Sequence, residues 1–170
     1  MASAFSHVAI PLVIKLASRV LSWRLILLGM LLSVAPDFDV IAFRFGIPYE
    51  SQWGHRGFTH SIIFAALIAA ACMLFATKLR STKWTVFWVA FVSMASHSIL
   101  DALTNGGLGV AAFWPFTSER YFLPWQVIEV SPIGVANFFT ERGWAVIKSE
   151  LVYIWLPSLI LGISFRLTRS

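Results

Sequence analysis

Two apolar runs, residues 59–77 and 84–103, constrain this chain more than anything else in it. Each has about the ~20 residues that an α-helix needs to cross ~30 Å of hydrocarbon. A third run, residues 141–167, is longer and carries Pro157, where the sequence predicts a kink. Two further helices are expected ahead of these. Residues 6–21 form an amphipathic one, with Lys15 and Arg19 near its end. Residues 23–35 form an apolar one that stops at Pro36. The second of these is short for a span, so it is expected to tilt or to end below the surface, shielded by its neighbours. The fold class that follows is all-α: an integral membrane bundle of about five helices, forming one domain over residues 1–170.

Composition points the same way. Hydrophobic residues make up 58% of the chain and charged residues 12%, against roughly 45–50% and about 25% in a soluble domain. The net charge of +5 raises the question of nucleic acid. The basic residues are scattered between apolar runs and form no stripe, so no nucleic-acid partner is expected and membrane lipid is. Cys72 is the one cysteine, which excludes a disulfide framework and a thiolate zinc site. The first twenty residues lack a basic leader and a small-residue cleavage site after a clean apolar core. The membrane helices are therefore expected to direct insertion themselves.

Placing the charges on these helices gives an orientation. Lys15, Arg19, Arg24, Lys78, Arg80, Lys83, Arg166 and Arg169 fall at one face, eight of thirteen basic residues and no acid. The other face takes Arg44, Arg56, Arg120, Arg142, Lys148 and all eight acids. Lys and Arg in short loops mark the cytoplasmic side. The sequence thus predicts a multi-pass protein of a bacterial inner membrane, with the acid-rich face periplasmic and the N-terminus outside.

That acid-rich face also collects the chemistry. His7, Asp37, Asp39, His55, His60, His97 and Asp101 are all the histidine and aspartate in the chain, and all seven map to it. Ionisable groups beside hydrocarbon are costly, which makes such a gathering a functional candidate. His97 and Asp101 lie four residues apart on one helical face and can share a metal ion. Pro36 breaks a helix before Asp37 and Asp39, two carboxylates able to bind or bridge ions. His55-Arg56-Gly57-Phe58-Thr59-His60 sets two imidazoles around one loop, beside an arginine suited to phosphate oxygens. Gly57 permits a tight backbone there, and Thr59 is expected to N-cap the next helix. Imidazole with carboxylate suits Zn, Mn or Fe.

Taken singly, these patterns have blander readings. A histidine at a helix end is commonly a hydrogen-bonded structural residue, and isolated HxxxD or PDxD pairs arise by chance. Their concurrence carries the argument. Seven ligands exceed the needs of one tetrahedral ion, so two or more divalent ions per chain are expected. Residues 105–140 form a long loop rich in Gly, Pro and aromatics. Trp114, Phe116, Tyr121, Phe122 and Trp125 suggest a lid or an interfacial belt at headgroup depth. Glu129 in this loop is expected to be solvated rather than a ligand.

The combination resembles the bacterial membrane-bound metal-dependent hydrolases, the YdjM-like family. It rests on His7, Pro36-Asp37-Phe38-Asp39, His55 to Ser61 (HRGFTHS), His97 to Asp101 (HSILD) and Trp114-Pro115, across residues 5–132. More distantly, the ligand set is similar to zinc-dependent phospholipase C and fungal zinc nucleases. Family members often show Asp-Pro after the aromatic loop, where this chain has Glu129-Val130-Ser131-Pro132. The resemblance implies a metal-dependent hydrolase. With the site at headgroup level, the expected substrate is a phospholipid or other amphiphilic phosphate ester. Arg56 and Asp39 are the expected catalytic residues, Arg56 steadying charge on phosphate. The rival classes are a non-catalytic membrane interaction protein with a structural metal, and a metal transporter, which would want ionisable residues through the membrane midplane.

Overall fold

A computed structural model describes residues 1–132 and 138–168; Arg169, one of the basic residues placed above, lies outside them. The described residues are helical with no strands, and two isolated β-bridges tie the long loop together. The helices are α1 (Ala4–His7), α2 (Ala9–Ala17), α3 (Trp23–Val34), α4 (Ile62–Cys72), α5 (Lys83–Ala102), α6 (Glu141–Glu150) and α7 (Leu156–Thr168).

By length and composition, three helical stretches can cross a membrane: Trp23–Phe45, Lys83–Ala102 and Glu141–Thr168. The expected third span is shorter, Ile62–Phe75, and residues Ala4–Ala17 are also too short. The reverse correction applies after α3: the α-helix ends before Pro36, as expected, but the helical stretch runs on to Phe45. Pro36 cannot donate to the carbonyl one α-turn back, so the α-helix gives way at Ala35 to a 3-10 helix, Ala35–Phe45. That helix runs to Gly46, whose φ of 72° is the left-handed conformation that glycine adopts without steric cost. Pro157 has a comparable effect. The turn before it, Leu151–Trp155, widens to a π-helix between α6 and α7. Within it Leu156 N donates to the Leu151 carbonyl, five residues back.

The core lies between α3, α4 and α5, where Leu25, Ala69, Cys72, Val86, Val89 and Ala90 are buried together. Gly29 lets α3 approach, since a Cβ there would sit 2.8 Å from Ser93 Oγ and 3.3 Å from Pro11 Cβ. α2 packs on α7 and α3. At one end of the bundle the two short turns abut, Arg24 donating to the Lys78 carbonyl at 3.1 Å and Ser22 Oγ to the Leu79 carbonyl. Lys15, Arg19 and Arg166 surround one cavity at that same end. The predicted clustering of basic residues is thus present in space, and the His/Asp residues lie at the opposite end of α5.

Candidate metal centre

His97 and Asp101 project from the last turns of α5, fully buried, as the four-residue spacing requires. Asp37 and Asp39 sit on the 3-10 segment, where each residue turns the chain by about 120°. The two carboxylates therefore face different neighbours, while Phe38 between them points outward, 72% exposed. His55 and His60 enter on a tight loop. Its tightness comes at Gly57, where a Cβ would lie 2.2 Å from the Gln52 carbonyl, and at Arg56, whose φ is 62°. Thr59 does not cap α4; Ser61 does, accepting from Phe64 N at 3.1 Å. The Thr59 hydroxyl donates instead to Asp39 Oδ2 at 2.7 Å.

The structure brings all seven expected ligands together and sorts them into layers. In the inner layer, one atom each from Asp37, His60, His97 and Asp101 lies within 4.8 Å of all the others. The two histidine Nε2 atoms are 3.0 Å apart. His97 Nε2 is 3.4 Å from Asp37 Oδ1 and 3.8 Å from Asp101 Oδ2, and His60 Nε2 is 4.0 and 3.7 Å from the same two oxygens. Tetrahedral ligands on bonds of about 2.0–2.2 Å stand ~3.3–3.6 Å apart, so the spacing suits one ion.

The hydrogen bonds behind this layer decide what the inner atoms present. His97 Nδ1 is 2.8 Å from the Ser33 carbonyl, an acceptor only, so Nδ1 carries the proton. The single Thr59 proton is used on Asp39, so His60 Nδ1, 3.0 Å from Thr59 Oγ1 and 3.3 Å from Asp39 Oδ2, is also a donor. In neutral rings both Nε2 atoms then carry lone pairs, facing each other and two carboxylates. Neither Asp37 oxygen has a hydrogen-bond partner, nor has Asp101 Oδ2. Four converging electron-pair donors repel one another unless a cation sits among them, and a divalent ion fits this donor set. A proton is the substitute: burial holds His60 down, but the carboxylates of Asp101 and Asp39 beside its two ring nitrogens favour the charged ring and raise its pKa to about 9.

Asp39 and His55 form an outer layer, and with His60 they make a second group that could hold an ion. Asp39 already has donors on both oxygens. His55 Nδ1 reaches Oδ1 at 2.6 Å, while Arg56 N and the Thr59 hydroxyl reach Oδ2 at 3.0 and 2.7 Å. His7 lies on the other side of Asp37 and Asp101, stacked on His97 with ring centroids 3.7 Å apart. Neither of its ring nitrogens has a hydrogen-bond partner.

Arg56 stands otherwise than its place in the motif suggests. It is wholly buried, with Nε 3.0 Å from Asp101 Oδ2, NH1 donating to the Gly106 carbonyl and NH2 to Thr104 Oγ1, each at 3.0 Å. Its guanidinium is committed to protein groups. Glu129 is outside the centre; its backbone N donates to Ser149 Oγ. The long loop covers the histidine loop. Ala111 N donates to the Arg56 carbonyl at 3.0 Å, and Arg120 clamps the carbonyls of His55, Tyr49 and Ser51 at 2.8–2.9 Å. Phe116 and Trp125 remain exposed at 84% and 77%.

One supporting residue goes unread in the sequence. Glu150, fully buried at the end of α6, accepts from Ser3 N and Ser3 Oγ, and the preceding Ala2 N donates to Asp101 Oδ1 at 2.7 Å. Its signal was an acid directly before an apolar run.

Residues 1–169 match the family model described as YdjM inner membrane protein. This chain belongs to the YdjM family of inner membrane proteins. Among curated proteins it is similar to Inner membrane protein YbcI of Escherichia coli (strain K12), 42% identical over 164 residues, which cover 95% of each chain. No solved structure matches it. The three candidate spans agree with the membrane setting of the YdjM family, and the described residues hold a buried His/Asp cluster that could bind a metal ion.

Proposed function

We propose that this protein is a membrane-bound metal-dependent hydrolase that cleaves a phospholipid or another amphiphilic phosphate ester. The observation that carries the reading is the set of four buried donors, with both histidine tautomers fixed so that lone pairs converge. Asp37, His60, His97 and Asp101 would hold a divalent ion, Zn first, with Mn and Fe compatible with the same ligands. Two or more ions per chain, as the ligand count suggests, belong to this proposal. Such ions, when bound, lower the pKa of water toward ~7 and offset charge on phosphoryl oxygens. The chain's own residues supply the rest. Asp39 fixes the His60 tautomer, and Arg56 orients Asp101 and balances its charge rather than reaching substrate. Exposed aromatics of the loop anchor the site at headgroup level. The likeness to zinc-dependent phospholipase C and fungal zinc nucleases belongs to the same proposal, as does a periplasmic opening.

A second reading, a structural metal site without catalysis, draws on one observation: none of the seven residues is more than 9% exposed. Purified protein in lipid, loaded with Zn or Mn, separates the two when offered a panel of phospholipids and other phosphate esters. Hydrolysis that a chelator stops and Asp101→Asn abolishes, with helix content unchanged, supports the enzyme. No cleavage across the panel by fully metallated protein refutes the phosphoesterase and leaves the structural site.

A further inference from the structure

The inner layer uses only one oxygen of each carboxylate. Asp37 Oδ1 and Asp101 Oδ2 face His60 and His97. The other two oxygens face His7, whose Nε2 is 3.6 Å from Asp101 Oδ1 and 3.9 Å from Asp37 Oδ2. A fully buried imidazole with neither nitrogen hydrogen-bonded is a costly thing to leave unsatisfied. Asp37 Oδ2 is likewise without a hydrogen-bond partner, and Asp101 Oδ1 accepts only from Ala2 N, which leaves it a further lone pair.

We infer that His7 Nε2, Asp37 Oδ2 and Asp101 Oδ1 form a second divalent-metal position, so that Asp37 and Asp101 bridge two ions and an anionic phosphate ligand completes the second. This rests on the metal-centre reading above and deepens it. His7 Nε2 stands 3.6 and 3.9 Å from the two oxygens, at or slightly beyond the spacing of ligands on one ion, so an ion here would draw these groups inward. Three protein donors leave a coordination position for water or substrate, as at catalytic rather than structural sites. That position has a direction, because the Asp37 side chain is 9% exposed while those of His7 and Asp101 are sealed at 0%. The charge balance then names the ligand. Asp37, Asp39, Asp101 and Glu150 against Arg56 and the Met1 ammonium leave a net −2, which one divalent ion neutralises. A second ion turns the centre to +2, a surplus that an anion satisfies and a neutral ester or amide does not.

The test is metal stoichiometry, which needs no turnover. Detergent-purified protein stripped with chelator is titrated with Zn, and inorganic phosphate is the probe for the anion position. Wild type is expected to take two equivalents, the second weaker, and to gain thermal stability from phosphate only when both are bound. His7→Ala and the bulkier His7→Asn should each keep the first equivalent, which reports an intact fold, and lose both the second and the phosphate effect. One equivalent in wild type, two in both variants, or none in either variant overturns the second position. One equivalent with phosphate-ester hydrolysis would overturn this inference alone. Two equivalents without hydrolysis would overturn only the catalytic reading.

Discussion

Replacing Asp39 by asparagine asks whether this carboxylate binds metal or positions what does. In the structure it accepts from His55 Nδ1, Arg56 N and Thr59 Oγ1 and stands 3.3 Å from His60 Nδ1. Asparagine keeps the volume but has one acceptor oxygen, and its NH2 group must then face a donor. At least one charge-assisted hydrogen bond is lost, worth about 1.5–3 kcal/mol. His60 keeps its place in the loop but loses the anion that fixes its Nδ1 proton. Loss of such a supporting contact lowers metal affinity by about 10–100-fold, or about 1.4–2.8 kcal/mol. Competition of stripped protein against a chelating dye measures both affinity and stoichiometry. The expected result is an unchanged number of ions, with the one held by His60 bound more weakly within that range. A lost equivalent would show Asp39 to be a ligand, and a Kd equal to wild type would show that it does not position His60; either result refutes the layering.

Two further predictions concern pH and sidedness. In metal-free protein His60 has its pKa raised from 6.5 to about 9, so its stabilisation is complete below pH 6.5 and is lost as pH rises through 9. The Tm of stripped protein, followed by tryptophan fluorescence, should fall over that window, whereas the Zn-loaded protein should not follow it, because the ion has replaced the proton; parallel curves would contradict this. A cysteine placed in the 78–83 turn, in a Cys72→Ser background, should resist impermeant thiol reagents in intact cells, while one at Ser118 should label. The reverse pattern would put the centre in the cytoplasm.

The helix over 84–103 was legible because a largely apolar run of the right length, charged only at Asp101 near its end, has one period and one cap; it is observed as Lys83–Ala102, capped by Thr82. The segment after Pro36 was misread because proline ends an α-helix but not a 3-10 helix, and a residue pattern does not separate the two. Helix α4 starts later than expected because the Thr59 hydroxyl finds Asp39, a tertiary partner no local rule supplies. The gathering of the seven histidine and aspartate residues was legible because each is costly near lipid. Their division into layers was not, since it depends on the rotation between Asp37 and Asp39 and on the Ser33 carbonyl, a backbone group without a residue signature. Arg56 misled for a related reason. Its motif neighbours suggest phosphate, but its left-handed backbone turns the side chain inward to Asp101.

The ligands of this centre come from α1, the 3-10 segment, the histidine loop and α5, so His7 leaves the ribosome first and Asp101 last. Until α5 inserts, Asp37, Asp39 and His60 lack the partners that make their burial tolerable, and they belong at the aqueous surface. Under the proposed function, capture of the ion and docking of the last turns of α5 would be one event. On that reading, a chain that inserts where the metal is scarce would keep its helices in the bilayer and its acidic end open to water.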